Sequence, residues 1–413
     1  MISSKGGNMY ESPVSSSSHT TCAILVEIKN YHELNEVFGP KFSDLLRNSV
    51  ISRLLKLGVF PGVTAYSEGT FIIRTSGSLI DSDESPLELK KLIELIHAQI
   101  ECEPVTGSEG RAYLKLLVKE YPLKNKTLIE PYTSSDTSIL SHSNRKISSS
   151  QIDILAASSI LDELRSGNLI LAFQPVVLIS SPQDNIVLYN EALLRRYSPQ
   201  TQDICSWPNS IEALERTGLI SRLDFSVIWS IISLLKSHPT QYLGCNVSAS
   251  TISPDHYWNS IIEYLDKNRN IAKRLTIEIT ETSNFYDLDK SLKIISDLRE
   301  CGVGIAIDDF GAGNTSIHYL AKIRPDIIKI DRSILLRSRD PHYSPDLLRH
   351  FTKVCHDYTP CVVIEGIENT EELAAARYAG GQCIQGFLIQ RPDIEPAWLN
   401  SNQAVVSDIL STV

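Results

Sequence analysis

From Leu169 onward, apolar runs of strand length recur along the chain, and each carries a polar residue able to bind charge or donate hydrogen bonds. They read LILAFQPVV with Gln174, IVLYNEALLR with Glu191, YLGCNVSA with Asn246, LTIEITE with Glu278 and Glu281, VGIAIDDFG with Asp308 and Asp309, PDIIKID with Lys329, CVVIEGIE with Glu365 and Glu368, and CIQGFLI with Gln385. Between them lie FSVIWSIISLLKS, YWNSIIEYLDKN, DKSLKIISDLREC, PDLLRHFTKVCHDY and TEELAAARYAG, whose apolar residues fall at helical spacing. Alternating strands and helices predict parallel strands joined by crossovers, and eight strands predict a closed (β/α)8 TIM-like barrel in the α/β class. Catalytic groups of such barrels sit at the C-terminal strand ends, where the polar residues are expected.

Upstream the pattern differs. CAILVEI reads as a strand, and HELNEVFGPKFSDLLRNSVISRLLKL as a helical stretch broken at Gly39 and Pro40. TAYSEGTFIIRT reads as a hairpin around Glu68 and Gly69, PLELKKLIELIHAQI as an amphipathic helix, and AYLKLLVKEY as a strand, which together predict a small α+β domain. Serine-rich stretches flank it. The expected organisation is a disordered tail over 1–20, the α+β domain over 21–131, a Ser/Thr-rich linker over 132–150, the barrel over 151–400 and a tail over 401–413. The stretch from Asp393 onward reads as a closing helix with a frayed end.

At 413 residues the chain is long enough for two separate cores. Its net charge of -10 leaves no basic surplus to neutralise phosphates, which argues against binding nucleic-acid polymers or acidic membranes, although a small anion held through metals remains open. The 8 cysteines form no CxxC pair, which predicts reduced core thiols rather than disulfides or zinc ligands. No apolar stretch approaches the roughly 20 residues of a membrane span, and the N-terminus lacks a signal-peptide core, so a cytoplasmic protein is expected.

Burying so many carboxylates at the ends of apolar strands costs several kcal/mol each unless cations or donors meet them. Oxygen ligands around one lysine point to hard divalent cations. Glu191, Asn246, Glu278 and Asp308 suffice for one Mg²⁺ or Mn²⁺; Asp309 and Glu365 can hold a second, with Asp308 bridging. Two such ions clamp a phosphodiester and sharpen a water into a nucleophile. Lys329 would orient that water or the phosphate, Arg195, one helical turn after Glu191, would grip a phosphate, and Gln174 and Gln385 would read the ligand's edges. Any one of these acids alone is equally an ion-pair partner or a cap, and Asp331 reads as one of those; the ordered series is what points to a site.

The motifs NEALLR, CNVSAS, TIEITET, IAIDDFGAGNTS, DIIKIDRS, VIEGIENTEE and QGFLIQRP resemble those of EAL domains, over about Ile160 to Pro392. Members of that family hydrolyse the bacterial second messenger cyclic di-GMP to linear pGpG. The resemblance implies that Glu191, Asn246, Glu278 and Asp308 bind one metal, that Asp308, Asp309 and Glu365 bind the other, and that Lys329 contacts the catalytic water. It further implies that Gln174, Arg195 and Gln385 hold the dinucleotide, that Glu281 anchors the loop after Asp309, and that Glu368 supports the site. In the family that loop couples the metals to a homodimer interface; here it departs from the usual pattern at Asn314 and Thr315. A cyclic di-GMP receptor or protein-binding regulator without turnover is the alternative, but the ligand set is complete.

The first domain resembles the GGDEF domain of diguanylate cyclases. AILVEIKNYHELNEVFGPKFSDLL follows that family, and Asn35 and Asp44 fall at its guanine-contacting positions. The signature is degraded to Ser67, Glu68, Gly69, Thr70 and Phe71, which leaves Glu27 as the one retained metal-ligating acid; no inhibitory RxxD motif precedes the hairpin, where the chain reads GVFP. The implied domain makes no cyclic dinucleotide and either binds GTP to tune the phosphodiesterase or serves as a scaffold or dimerisation module.

Overall fold

The computed structural model describes residues 9–11, 23–60, 62–74, 85–121, 147–179, 186–198, 204–205, 208–280, 285–312 and 317–399. The chain divides into two compact units, Met1–Ser159 and Ile160–Val413. The expected linker falls largely outside the described residues.

The first unit holds strands β1 (Met9–Glu11), β2 (Ala23–Ile28), β3 (Gly62–Ser67), β4 (Thr70–Arg74), β5 (Val105–Thr106), β6 (Arg111–Ala112) and β7 (Leu116–Tyr121). Five of them form an antiparallel sheet in the order β1-β3-β4-β2-β7. Every second residue of β2 is buried, and Ile24, Val26 and Ile28 pack with Leu34, Phe38, Phe42, Leu46 and Val50 from the helices Tyr31–Phe38 and Pro40–Lys56. Those two helices meet where Gly39 and Pro40 interrupt the helical pattern, since proline cannot donate to a preceding turn.

The second unit holds β8 (Leu169–Leu178), β9 (Val187–Tyr197), β10 (Ile204–Cys205), β11 (Leu243–Ser248), β12 (Leu275–Thr280), β13 (Gly304–Phe310), β14 (Ile327–Ile330), β15 (Cys361–Ile364) and β16 (Cys383–Ile384). The order β9-β11-β12-β13-β14-β15-β16-β8 closes because β8 also pairs with β9, giving an eight-stranded barrel. Helices Ile220–Ser237, His256–Lys267, Leu288–Cys301, Ile317–Ile323, Leu347–His356 and Thr370–Ala379 lie between successive strands.

One strand departs from the expected all-parallel barrel. β8 runs antiparallel to both β9 and β16. β9 begins only nine positions after the end of β8, too close for the dozen or more connecting residues that a parallel crossover takes, so the pair closes as a hairpin. The expected closing helix after Asp393 is also absent over the described residues up to 399: Asp393 bridges to Phe173 on β8, and Trp398 packs edge-on against the Phe173 ring at 4.9 Å.

Inside the barrel Val176, Tyr189, Ala306, Ile327, Val363 and Cys383 form one buried apolar cluster. Tyr189, Ala306, Ile327, Val363 and Cys383 each precede by two residues Glu191, Asp308, Lys329, Glu365 and Gln385. Side chains alternate across a strand with period two, so the apolar plug and the polar ring are successive layers of one interior.

Candidate metal and ligand site

The polar layer is built by register. Gln174 lies opposite Glu191, and Asn246 lies opposite Glu278, so neighbouring strands deliver their side chains to the barrel interior at one height. Glu191, Asn246, Glu278 and Lys329 stand within their strands, a step below the strand ends where the sequence pattern put them, while Glu365 and Gln385 are the first residues beyond β15 and β16. Consecutive residues of a regular strand face opposite sides, yet both Asp308 and Asp309 reach the site. The pairing of β13 with β14 shifts between Ile307 and Phe310, and Asp309 takes φ 53, so a local bulge re-aims the second acid.

Lys329 lies at the centre, with 0% exposure. Its Nζ is 2.8 Å from Glu191 Oε2, 2.7 Å from Glu278 Oε2, 2.7 Å from Asp308 Oδ1 and 2.9 Å from Glu365 Oε1. An ammonium has three protons and cannot serve four carboxylates with good geometry. The remaining donors come from amides: Asn246 Nδ2 gives a 2.7 Å bond to Glu191 Oε1, and Gln385 Nε2 gives a 2.7 Å bond to Glu191 Oε2. Glu191 is therefore well satisfied, whereas Glu278 Oε2 and Asp308 Oδ1 meet only the shared Lys329 ammonium, and Glu278 Oε1 and Asn246 Oδ1 are buried without a hydrogen-bond donor.

The electrostatics follow. Burial pushes the Glu191 carboxyl up, but Lys329 and the three hydrogen bonds overcome it and hold the group below the usual carboxylate range. Burial and the neighbouring Glu191 raise Glu278 well above that range, and burial raises Asp308 despite the facing ammonium. Asp309 is pushed up to about 7 by burial and by Asp308 beside it, and burial lifts Glu365 well above its ordinary value. Lys329 is driven the opposite way: burial works against its charge, and Asp308, Glu191, Glu278 and Glu365 together raise it well above the ordinary lysine value.

Five carboxylates around one ammonium, four of them displaced towards protonation, constitute an excess of negative charge that calls for cations. Oxygens of Glu191, Glu278 and Asp308 all lie within 4.8 Å of one another, as do those of Asp308, Asp309 and Glu365. The orphaned Glu278 Oε1 and Asn246 Oδ1, with the Asp308 oxygens beside them, are acceptors only, which is the donor set of a hard divalent cation. The residues present thus fit two ions sharing Asp308.

The remaining predicted residues are placed unequally. Gln385 Nε2 also lies 3.3 Å from Gln174 Oε1, and Gln174 Nε2 donates to the Gln390 carbonyl at 2.9 Å, so Gln174 braces Gln385. Gln385 keeps a buried Oε1 without a donor. Arg195 is not one helical turn from Glu191: both lie on β9, on the same face, about 13 Å apart at the usual strand rise. Its guanidinium donates to the Leu194 carbonyl, and burial lowers its pKa from the ordinary value. Glu368 points to Arg332 at 2.8 Å rather than to the acids. Asp331 caps the helix Arg332–Arg337 by accepting from the Ser333 amide. Glu281, Asn314 and Thr315 lie outside the described residues.

Two residues that periodicity did not single out shape the floor. A Cβ on Gly244 would stand 2.5 Å from Glu278 Oε1 and 2.6 Å from Tyr189 Cε2, so only glycine leaves room for both side chains. A lone glycine inside an apolar run was the available signal for this close approach.

In the first unit, Asn35 Oδ1 accepts from Ser43 Oγ at 2.7 Å, and Asp44 stands exposed, 3.7 Å from Arg47. Glu27 pairs with Lys29 at 3.1 Å.

Comparison with known proteins agrees with this geometry. A family model described as EAL domain matches residues 157–392. Cyclic di-GMP phosphodiesterase NbdA of Pseudomonas aeruginosa is 29% identical over 234 residues, covering 55% of this chain and 29% of that protein. Probable cyclic di-GMP phosphodiesterase PdeB of Escherichia coli is 27% identical over 235 residues, covering 56% and 44%. The chain thus spans under half the length of both. A solved structure, the PaMucR phosphodiesterase in complex with c-di-GMP, is 27% identical with a TM-score of 0.51, covering 59% of this chain and 100% of that one. The Vibrio cholerae LapD S helix-GGDEF-EAL structure, at 16% identity and TM-score 0.51 over 90% of this chain and 89% of that one, shares the fold. With the family model matching more than half of its length, the chain belongs to the EAL domain family.

Proposed function

We propose that this protein is a metal-dependent phosphodiesterase that opens cyclic di-GMP to linear pGpG and so lowers the level of that messenger. The observation that carries the reading is the cluster of four carboxylates on the buried Lys329, with Asp309 beside it and acceptor oxygens of Glu278 and Asn246 left without donors. Likeness to NbdA, PdeB and the c-di-GMP complex of PaMucR supports the substrate.

Glu191, Asn246, Glu278 and Asp308 would hold one Mg²⁺ or Mn²⁺, and Asp308, Asp309 and Glu365 a second. Bound there, such ions supply an acidified water and offset charge on the phosphate as its ester opens. Water adds to one phosphorus and one P–O bond breaks, leaving a phosphate at one end of the dinucleotide and a hydroxyl at the other. Glu191, Lys329, Asp308 and Glu365 are the catalytic set. Lys329 Nζ meets four carboxylates, and were cations to take up part of that charge, its protons would be available to hold the attacking water or the phosphate. Gln385, braced by Gln174 and linked to Glu191, ties ligand binding to the acid that both amides orient. Arg195, further along the same strand face, meets the second phosphate, and Glu281 and Glu368 support the loops around the site.

The deciding experiment incubates the protein with cyclic di-GMP and Mn²⁺, resolves products by chromatography, and repeats the assay with Glu191→Ala and with EDTA. Formation of pGpG that needs both metal and Glu191 is the expected result; binding without turnover would make the protein a receptor.

The first unit is read as a degenerate GGDEF-like domain without cyclase activity that regulates the barrel through GTP at Asn35 and Asp44. Isothermal titration at millimolar GTP tests this, and absence of heat would leave it a scaffold. Pairing of two barrels into a homodimer is tested by sedimentation.

A further inference from the structure

Glu365 lies in the turn between β15 and the helix Thr370–Ala379, outside any strand, yet its carboxylate must meet Lys329, Asp308 and Asp309. Its own backbone is tied to the barrel by a bond from its amide to the Ile330 carbonyl at 3.1 Å. What fixes the rest of the turn is a charged clamp that the proposed chemistry does not use.

Arg332, three residues after Lys329, donates from Nη1 to the carbonyl of Gly366 and lies 2.8 Å from Glu368 Oε1. Its stem packs so closely that a Cβ on Gly366 would stand 2.7 Å from Arg332 Cβ, Cγ and Cδ, and Gly366 takes φ +67. Only glycine adopts that conformation readily with no room beside it. Glu372 closes the other side. It is 1% exposed, accepts the Glu368 amide at 2.6 Å on Oε2, and faces Arg332 at 3.4 Å and Arg339 at 3.1 Å on Oε1. The Glu372 amide in turn donates to Asn369 Oδ1 at 2.9 Å, a side-chain cap that fixes where the helix begins.

We propose that Arg332 and Glu372 are the positioning residues of Glu365, setting the geometry of the second cation site from outside it. The clamp joins the segment after Lys329 to the segment that carries Glu365, so Lys329 on β14 and Glu365 just beyond β15 are held as one unit. A planar guanidinium suits this task because its fork meets a carbonyl and a carboxylate at fixed angles, which a lysine ammonium does not do.

This inference rests on the proposed two-cation site, and the test separates the two. Stepwise Mn²⁺ binding to metal-free full-length protein is followed by calorimetry for wild type, Glu365→Gln, Arg332→Lys, Arg332→Ala and Glu372→Gln, alongside melting temperature in EDTA. Glu365→Gln is expected to abolish one of two binding events. Arg332→Lys and Glu372→Gln are expected to weaken that same event by about 10-fold, on the scale of supporting-residue losses at metal sites, and to leave the other unchanged. If Glu365→Gln leaves both events intact, the cation reading fails. If Glu365→Gln removes one event while Arg332→Lys and Glu372→Gln bind as wild type, or weaken both events equally with a fall in melting temperature, the positioning role alone is overturned. Should Arg332→Ala not fold, Arg332→Lys decides.

Discussion

The two units differ in that only one of them concentrates charge. In the barrel, Glu191, Glu278, Asp308, Asp309 and Glu365 surround a buried lysine, and both groups of acids close enough to share an ion among the described residues lie there. In the first unit the corresponding hairpin turn is Glu68 and Gly69, and a Cβ on Gly69 would stand 2.7 Å from the Tyr31 ring. Glu27, the acid that the sequence offered there as a metal ligand, is partly exposed and paired with Lys29. The barrel maintains an unfavourable concentration of like charge, whereas the first unit has an ordinary apolar core under a turn filled by an aromatic ring. Groups held against their electrostatic preference mark the functional unit.

The sharpest way to break this comparison is to remove Glu191. Glu191→Ala should lower turnover on the order of 10³-fold, the scale of losing a preorganised charge-stabilising group, while the protein keeps its fold by circular dichroism. Retained turnover would place the chemistry elsewhere.

Lys329→Met addresses the opposite sign. Leaving buried carboxylates without their cation should destabilise the metal-free barrel by about 3–5 kcal/mol in urea unfolding. Saturating Mn²⁺ should restore part of that loss; equal stability with and without the lysine would contradict the charge excess.

pH gives a third handle, and Asp224 separates structural from site acids. It is buried on the helix Ile220–Ser237, accepts from the Ser248 amide at 3.0 Å and Thr251 Oγ1 at 2.6 Å, and is raised by burial to about 7. A carboxyl whose folded pKa is raised binds its proton more tightly in the folded state. Its stabilising contribution is full below the ordinary carboxylate value near 4 and is lost as pH rises through about 7. Asp224→Asn should therefore flatten part of the decline in unfolding free energy between pH 4 and 8, by a few kcal/mol at most. An unchanged slope would mean that Asp224 titrates normally.

The smallest effect on function is expected in the first unit. Gly69→Asp with Thr70→Glu should create no cyclase activity and should destabilise that unit by about 1–3 kcal/mol through the clash with Tyr31, with barrel turnover unchanged. Appearance of cyclic di-GMP from GTP would overturn the view of a degenerate domain.

Much of the barrel was legible because its signal is local. Strand-length apolar runs, helical spacing between them and a polar residue in each run are properties of short windows, and they single out Glu191, Asn246, Glu278, Asp308, Lys329 and Glu365, which the barrel brings together. The antiparallel direction of β8 was missed because the pattern carries no strand direction; the short gap before β9 was the clue. Periodicity also put Arg195 on a helical turn, although the run around it continues as strand to Tyr197. The expected helix after Asp393 does not form over the described residues up to 399, where Asp393 bridges to Phe173 on β8 instead.

The sequence by itself determined which residues carry charge and in what order the strands present them, since both follow from the covalent chain and its alternation. Tertiary structure alone decided that Lys329 would be shared by four acids, that a bulge would turn Asp309 inward, that Gly244 would make room beneath Glu278, and that Arg332 would clamp the turn of Glu365. Those contacts join residues tens to more than a hundred positions apart, and their energies depend on burial and distance, which exist only once the barrel has closed.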